Sequence, residues 1–492
     1  MTLIGVYIDN SRGWQSEIEY ALKFLLNAAG VRFQFVKSLH ELHPFERVLI
    51  HSEVEKESYA ALNNSIVLYI PSLIHLDDLC YVTTSYREKP VDIYGPSIAY
   101  ETVPGYPYSY TDGGCPVSIQ VGNGGTYVKL GWDLIGTTFH LLNMTWERNH
   151  SGREVVEPPQ PEFTLNQPTV DRYVLHLEEL LDLYHEDVER MKRWPGESRF
   201  AVALTHDVDM LQKWRWRSRL KWLAKLPIDI WRDREKLQSD WEELRRDRDP
   251  WDNCQEVLSL EQKHGFTSSW FFLTEARDHQ TWRYKINSQR GRAAVDAVRQ
   301  AGGEIALHGG YRQAHTLSRF LDQKQQLERV LGRELQGVRQ HWLKYSLAKT
   351  ADAQAKAGLS YDSSLGWNHT AGYRCGTSLP FKIFDPLAKQ ETEFYEIPLI
   401  FMDTALFLQA GLSPQEVSTV LSDLLDRTEK VGGLLTVLFH NHYFYEQDFP
   451  GWKETYTGFL AEVEERSAWV DTMRNIYRRW RRRTRLLEEN EE

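Results

Sequence analysis

Residues 200–209 read F-A-V-A-L-T-H-D-V-D, an apolar run that gives way abruptly to a hydroxyl, an imidazole and two carboxylates. Side chains of a strand alternate between faces, so Thr205, Asp207 and Asp209 fall on one side and Leu204, His206 and Val208 on the other. Two carboxylates confined to one small space repel, and the remedies are a shared proton, a metal cation or basic partners. Other strand-like runs end on groups of the same kind: His308, His341, Asp362, Asp403 and His440. A closed α/β barrel brings such C-terminal strand ends to one mouth, whereas an open sheet spreads them along an edge. The expectation is half of a metal-hydrolase site at Asp207 and Asp209, completed from the later strand ends.

Taken in order, T-H-D-V-D (205–209), L-H-G-G-Y (307–311), V-R-Q-H (338–341), Y-D-S-S (361–364), G-Y-R-C-G (372–376) and V-L-F-H (437–440) form a series. This series resembles the polysaccharide deacetylase (NodB-homology) superfamily, carbohydrate esterase family four, over residues 198–445. The resemblance implies a metal-dependent N- or O-deacetylase on a distorted seven-stranded (β/α) barrel. It implies Asp207 as general base, Asp209 and His308 as metal ligands, Arg339 as the motif arginine and His440 as general acid. Where the family has a second histidine four residues after the first, this chain has Arg312. The third ligand is therefore open between His341, His315 and water, and Val208 stretches the opening motif.

The chemistry stands on its own terms. Two imidazoles and a carboxylate suit a divalent cation, zinc by preference, which acidifies water toward a pKa of about 7 and polarises a carbonyl. A separate carboxylate must take the water's proton, and an acid must protonate the leaving nitrogen. Asp207 and His440 suit these tasks, with His442 as the alternative acid, and Arg339 would keep Asp207 ionised. His206, on the far face, reads as structural, Asp362 as an orienting group, and Arg374 as the charged tip of a loop framing substrate.

Composition narrows the setting. A chain of 492 residues, 41% hydrophobic and 26% charged, is globular and too long for one core. A net charge of -11 argues against nucleic acid as a partner. Four scattered cysteines suggest neither a disulfide framework nor a cysteine zinc site. With no signal-like or membrane-spanning segment, the expected location is cytoplasmic. The expected substrate is an acetylated saccharide or other small acetylated molecule; the rivals are hydrolysis of a non-sugar amide and an inactive saccharide-binding protein. The oligomeric state is left open.

Four segments are expected: a smaller N-terminal α/β domain of unknown role (1–165), a linker and connecting helix (166–196), the barrel (197–485) and an acidic tail (486–492). The barrel strands are placed at 200–207, 266–273, 304–308, 337–341, 359–362, 394–401 and 434–440, with helical patterns between them. VSIQV-GNGG-TYVKL reads as a hairpin, and 170–191 as one amphipathic helix. The insertion 211–252 could wall the mouth, and the arginine-rich 474–485 reads as a charged terminal helix.

Overall fold

Among the described residues two large sheets, beside two two-stranded ones, carry the fold. The computed structural model describes residues 2–9, 13–60, 62, 66–72, 100–103, 106–110, 117–122, 125–131, 133–150, 167–183, 188–232, 234–245, 249–274, 277–278, 281–282 and 284–489. Among these, no helix is long and apolar enough to cross a membrane.

The first sheet has six strands in the order Arg32–Val36, Leu3–Asp9, Arg47–Ser52, Ile66–Pro71, Gly125–Leu130 and Val117–Gly122. The first five run parallel, and the last closes an antiparallel hairpin with Gly122 opposite Gly125. Residues 123–124 of the expected turn lie outside the described residues. Period two divides the strands between two cores: Leu49, Leu68 and Val128 join one cluster, while Val48, Val67 and Tyr127 join another. Both faces are buried, as a parallel sheet requires.

The second sheet has ten strands. Its parallel run is Gln390–Glu396, Tyr361–Asp362, Gly337–Gln340, Glu304–Gly309, Ser269–Leu273, Ala201–Val208, Leu434–Leu438 and Phe401–Met402. The two ends of this run are neighbours in the chain. Residues 396 and 401 are five steps apart, at most about 18 Å of extended chain, so the sheet must curl until its ends nearly meet. The seven-strand expectation fails at the predicted strand 394–401, which is two pieces. Pro398 between them has no N–H to give a ladder, while Ile397 bonds to Asp362 on one side and Ile400 to Thr436 on the other. An antiparallel strand Phe381–Asp385 and the short Trp469–Val470 complete the ten.

The curled sheet has a narrow inside. Ala201, Ala203, Phe271, Ala306 and Tyr361 line it in one cluster, while Val202, Leu204, Phe272, Leu307 and Val437 face the outer helices in another. One of these helices, Pro414–Val431, is well specified by sequence. Ser413 and Glu416 form a capping box, worth about 0.5–2 kcal/mol, and Gly432 ends it at φ 61°, where a Cβ would be strained. It delivers the chain into Leu434–Leu438, the strand that presents His440.

Several elements differ from expectation. The connecting helix stops at Leu181 rather than running to Met191, because Arg190 folds back to bond Glu178 O and Asp182. Its helical pattern continued past a point where these C-terminal carbonyls already had a partner. The terminal helix Met473–Glu488 is not simply a charged surface element. Ile476, Tyr477 and Trp480 are buried in the shared core, and the buried Arg483 donates to carbonyls of Asn27, Ala28 and Met191. Arg374 is not a loop tip: it is buried, in a bidentate pair with Glu147 at 3.0 and 2.8 Å. Breaking such a pair leaves an uncompensated buried charge, so Glu147→Ala is expected to lower stability by about 3–5 kcal/mol in urea unfolding. Pro158, Pro159 and Pro161, a proline-rich run ahead of the connecting helix that disfavours helix and sheet, lie outside the described residues.

Candidate metal centre

The inner face of Ala201–Val208 carries Thr205 and Asp207 above the two alanines. Arg339 reaches Asp207 from three strands away in the sheet order, a separation of about 14 Å were the sheet flat. Curling makes the contact direct: Arg339 Nη1 donates to Asp207 Oδ1 at 3.0 Å and to Thr205 Oγ1 at 2.9 Å. Its Nε and Nη2 donate to Ser363 O and Oγ at 2.9 and 3.0 Å, and its plane lies 4.3 Å from the centre of the Phe271 ring. The guanidinium has no exposure at all. Only a nearby carboxylate makes such burial tolerable, and Asp207 supplies it.

Asp209 follows the strand end and stays on the same side as Asp207. The Nε2 of His308 stands 3.6 Å from Asp207 Oδ2 and 3.5 Å from Asp209 Oδ1, and His341 Nε2 is likewise 3.5 Å from Asp209 Oδ1. Asp209, His308 and His341 are all buried and each offers a ligand atom within 4.8 Å of the others. His315, the other sequence candidate, is half-buried and outside this group, and Arg312 is exposed.

The residues fit a cation on two counts. His308 Nδ1 lies 2.9 Å from the carbonyl of Arg339, which can only accept, so Nδ1 carries a proton and Nε2 is the ring atom turned inward. That buried Nε2 makes no hydrogen bond, although it faces two carboxylates. A buried ring nitrogen with no hydrogen bond, set between two carboxylates, is a place where a cation fits. The 3.5 Å from Asp209 Oδ1 to each imidazole nitrogen is also close to the roughly 3.3–3.4 Å between ligands that sit 2.0–2.1 Å from a tetrahedral centre. These three residues can hold a metal ion.

The backbone beside His341 is strained. Trp342 and Leu343 are consecutive non-glycine residues at φ 62° and 49°, of the kind that costs about 1–3 kcal/mol each and collects at functional sites. The turn leaves Trp342 51% exposed while its neighbour His341 is buried.

Opposite, His440 is buried and locked to Asp403. Its Nδ1 is 2.7 Å from Asp403 Oδ1, and its backbone N–H donates to Asp403 Oδ2 at 2.7 Å. Burial alone would push the imidazole down. The charge and hydrogen bond of Asp403, with Asp209 and Asp207 behind them, outweigh it and raise the pKa to about 9. His442 instead packs its ring against Trp251 and Tyr443. His206 lies behind the strand, its ring nitrogens at Phe439 O and Glu261.

No protein-family model and no curated protein matches the chain. Solved structures do match. A Mycobacterium smegmatis protein described as a polysaccharide deacetylase is 20% identical, with a TM-score of 0.41 over 59% of this chain and 92% of that one. This chain is similar to polysaccharide deacetylases. PuuE allantoinase matches at 14% identity and TM-score 0.41, over 61% of this chain and 95% of its own. A CE4 family pseudoenzyme from Bacillus anthracis matches at 10% and 0.32, over 60% of this chain and 71% of its own. At such identities the chemistry must be drawn from the site itself.

Sequence reasoning placed Asp403 on the rim without a task. Nothing local marks its partner: His440 is 37 residues away, and the two meet because Phe401–Met402 and Leu434–Leu438 are paired strands. Ser363 was not singled out either. Its signal is the Y-D-S-S run itself, small hydroxyl residues at a strand end where an arginine must be held.

Proposed function

We propose that this chain is a metal-dependent hydrolase that removes acetyl groups from an N-acetylated or O-acetylated saccharide. The observation that carries the reading is the arrangement around one inward ring nitrogen: the group Asp209, His308 and His341, with an arginine-held carboxylate on one side and a carboxylate-held imidazole on the other. Asp209, His308 and His341 would hold the ion, and zinc suits two imidazoles and one carboxylate. When bound, it supplies Lewis acidity, polarising the acyl carbonyl and making water a usable nucleophile.

The chain's own residues do the proton work. Asp207, hydrogen-bonded to Arg339, accepts the proton of the attacking water through the oxygen that faces His308. His440, protonated through neutral pH by Asp403, donates to the departing nitrogen or oxygen. Metal analysis of the purified protein, followed by acetate release from tri-N-acetylchitotriose, from an O-acetylated sugar and from small non-sugar amides, tests the reading. A metal-replete protein that releases acetate from neither sugar amides nor sugar esters overturns it.

Trp342 is the exposed aromatic next to the group, with Tyr311 6.4 Å away edge to face. Its face suits a pyranose ring. Trp342→Ala is expected to raise KM for the oligosaccharide about tenfold, at the upper end of the ~0.5–1.5 kcal/mol of an aromatic contact, with kcat and metal content held.

A further inference from the structure

Asp362 and Glu396 are register partners on adjacent parallel strands, and neither has any exposure. Asp362 is saturated with donors. Its Oδ1 accepts from Gln354 Nε2 at 2.7 Å and Ser364 Oγ at 2.9 Å, and its Oδ2 from the Ser364 N–H at 2.6 Å. Glu396 Oε1 accepts the Leu365 N–H at 2.9 Å, but its buried Oε2 meets no donor. An acceptor-only group surrounded by donors is the ionised one, and the carboxyl with a spare oxygen is where a proton belongs.

The surroundings do not neutralise both. Arg374 is the cation facing Glu396, and it is already committed to Glu147; Cys375 and the Tyr345 hydroxyl, which also faces Asp362, are the other titratable groups near the pair. Burial and then the Asp362 charge push Glu396 well above the carboxylate range, and burial raises Asp362 to about 6.

What the pair holds is the segment 363–365. Ser363 gives both its carbonyl and its hydroxyl to Arg339, and Ser364 Oγ accepts the Gln340 N–H at 2.8 Å, the residue before His341. We propose that Glu396 is a protonated acid hydrogen-bonded to the Asp362 carboxylate, and that this pair is the positioning element that sets Ser363 and Ser364, and through Arg339 the base Asp207. The consequence for turnover rests on the hydrolase reading above; the protonation and the positioning do not.

Glu396→Gln and Glu396→Leu separate the possibilities. Gln keeps an acceptor for Leu365 and a donor for Asp362, so kcat is expected to stay within about threefold of wild type, whereas Leu is expected to lower it about 100-fold with KM and metal content unchanged. A proton bound in the folded but not the unfolded state makes stability fall with rising pH. The unfolding constant of the wild type relative to the Glu396→Gln variant should therefore rise about tenfold per pH unit between pH 5 and 8. Crystal structures should keep the Arg339–Ser363 contacts in the Gln variant and lose them in the Leu variant. A pH-independent ratio, a Gln variant as slow as the Leu variant, or intact contacts in the Leu variant overturns the proposal. A wild type that releases no acetate yet shows the expected ratio and contacts overturns the hydrolase reading alone. If the Leu variant does not fold, the Gln variant's pH ratio and turnover decide.

Discussion

Asp209→Ala is expected to release the metal and to lower acetate release by about 10³-fold or more, the rate equivalent of ~4 kcal/mol of charge stabilisation. Asp209 is the anionic member of the group, 3.5 Å from both imidazole nitrogens, so its loss leaves two neutral donors for a doubly charged ion. Asp207→Asn makes the informative contrast. Asp207 is bonded to Arg339 and lies outside the group, so the variant should keep its metal and lose about 10²–10⁴ in rate, the range for a general base. Added zinc should raise the melting temperature of wild type and Asp207→Asn but not of Asp209→Ala, because a ligand stabilises only a fold that binds it. Equal metal content in Asp209→Ala and wild type would refute the ligand assignment.

How much of this was legible in the sequence follows from how local each feature is. The face shared by Thr205, Asp207 and Asp209 came from the two-residue period of a strand, a property of consecutive residues. The parallel strands and most helices came from hydrophobic pattern and from glycines at helix ends. The third member of the candidate metal group stayed open because His315 and His341 sit in different loops, and sequence distance does not say which loop turns inward. His341 faces Asp209 through a turn at positive φ in two non-glycine residues, a conformation that propensity argues against. Strand count was lost at Pro398, where one apolar run serves both ends of a curled sheet. Arg374 and Glu147 are 227 residues apart, and only the approach of the short helix Thr145–His150 to the loop that carries Arg374 joins them. Pairs made across the sheet order, including Asp362 with Glu396, were out of reach because they require knowing which strands are neighbours.

The same long-range pairing governs the acid. Asp403→Asn removes the strongest influence raising His440 and leaves burial opposed only by Asp207 and Asp209. The sign is fixed by the wild type: the imidazole holds its proton up to about 9, so the acid is ready throughout neutral pH and activity falls only as pH rises through that value. A cation on Asp209 screens part of its contribution and brings the loaded protein's alkaline limb somewhat below this. In Asp403→Asn the limb should move down by about one to three units, the range for losing an adjacent opposite charge, and kcat/KM at pH 8 should fall by about 2- to 100-fold across that range. Part of the loss should return on lowering the pH, because the variant's imidazole can still be protonated. The folded state should respond in the same direction. A histidine raised in the fold contributes stability that is full below the unfolded value near 6.5 and is lost through about 9, so urea titrations of wild type at pH 6 and 10 should differ more than those of the Asn variant. An unchanged alkaline limb in Asp403→Asn would assign the donated proton to another group, with His442, two residues on, the first to replace.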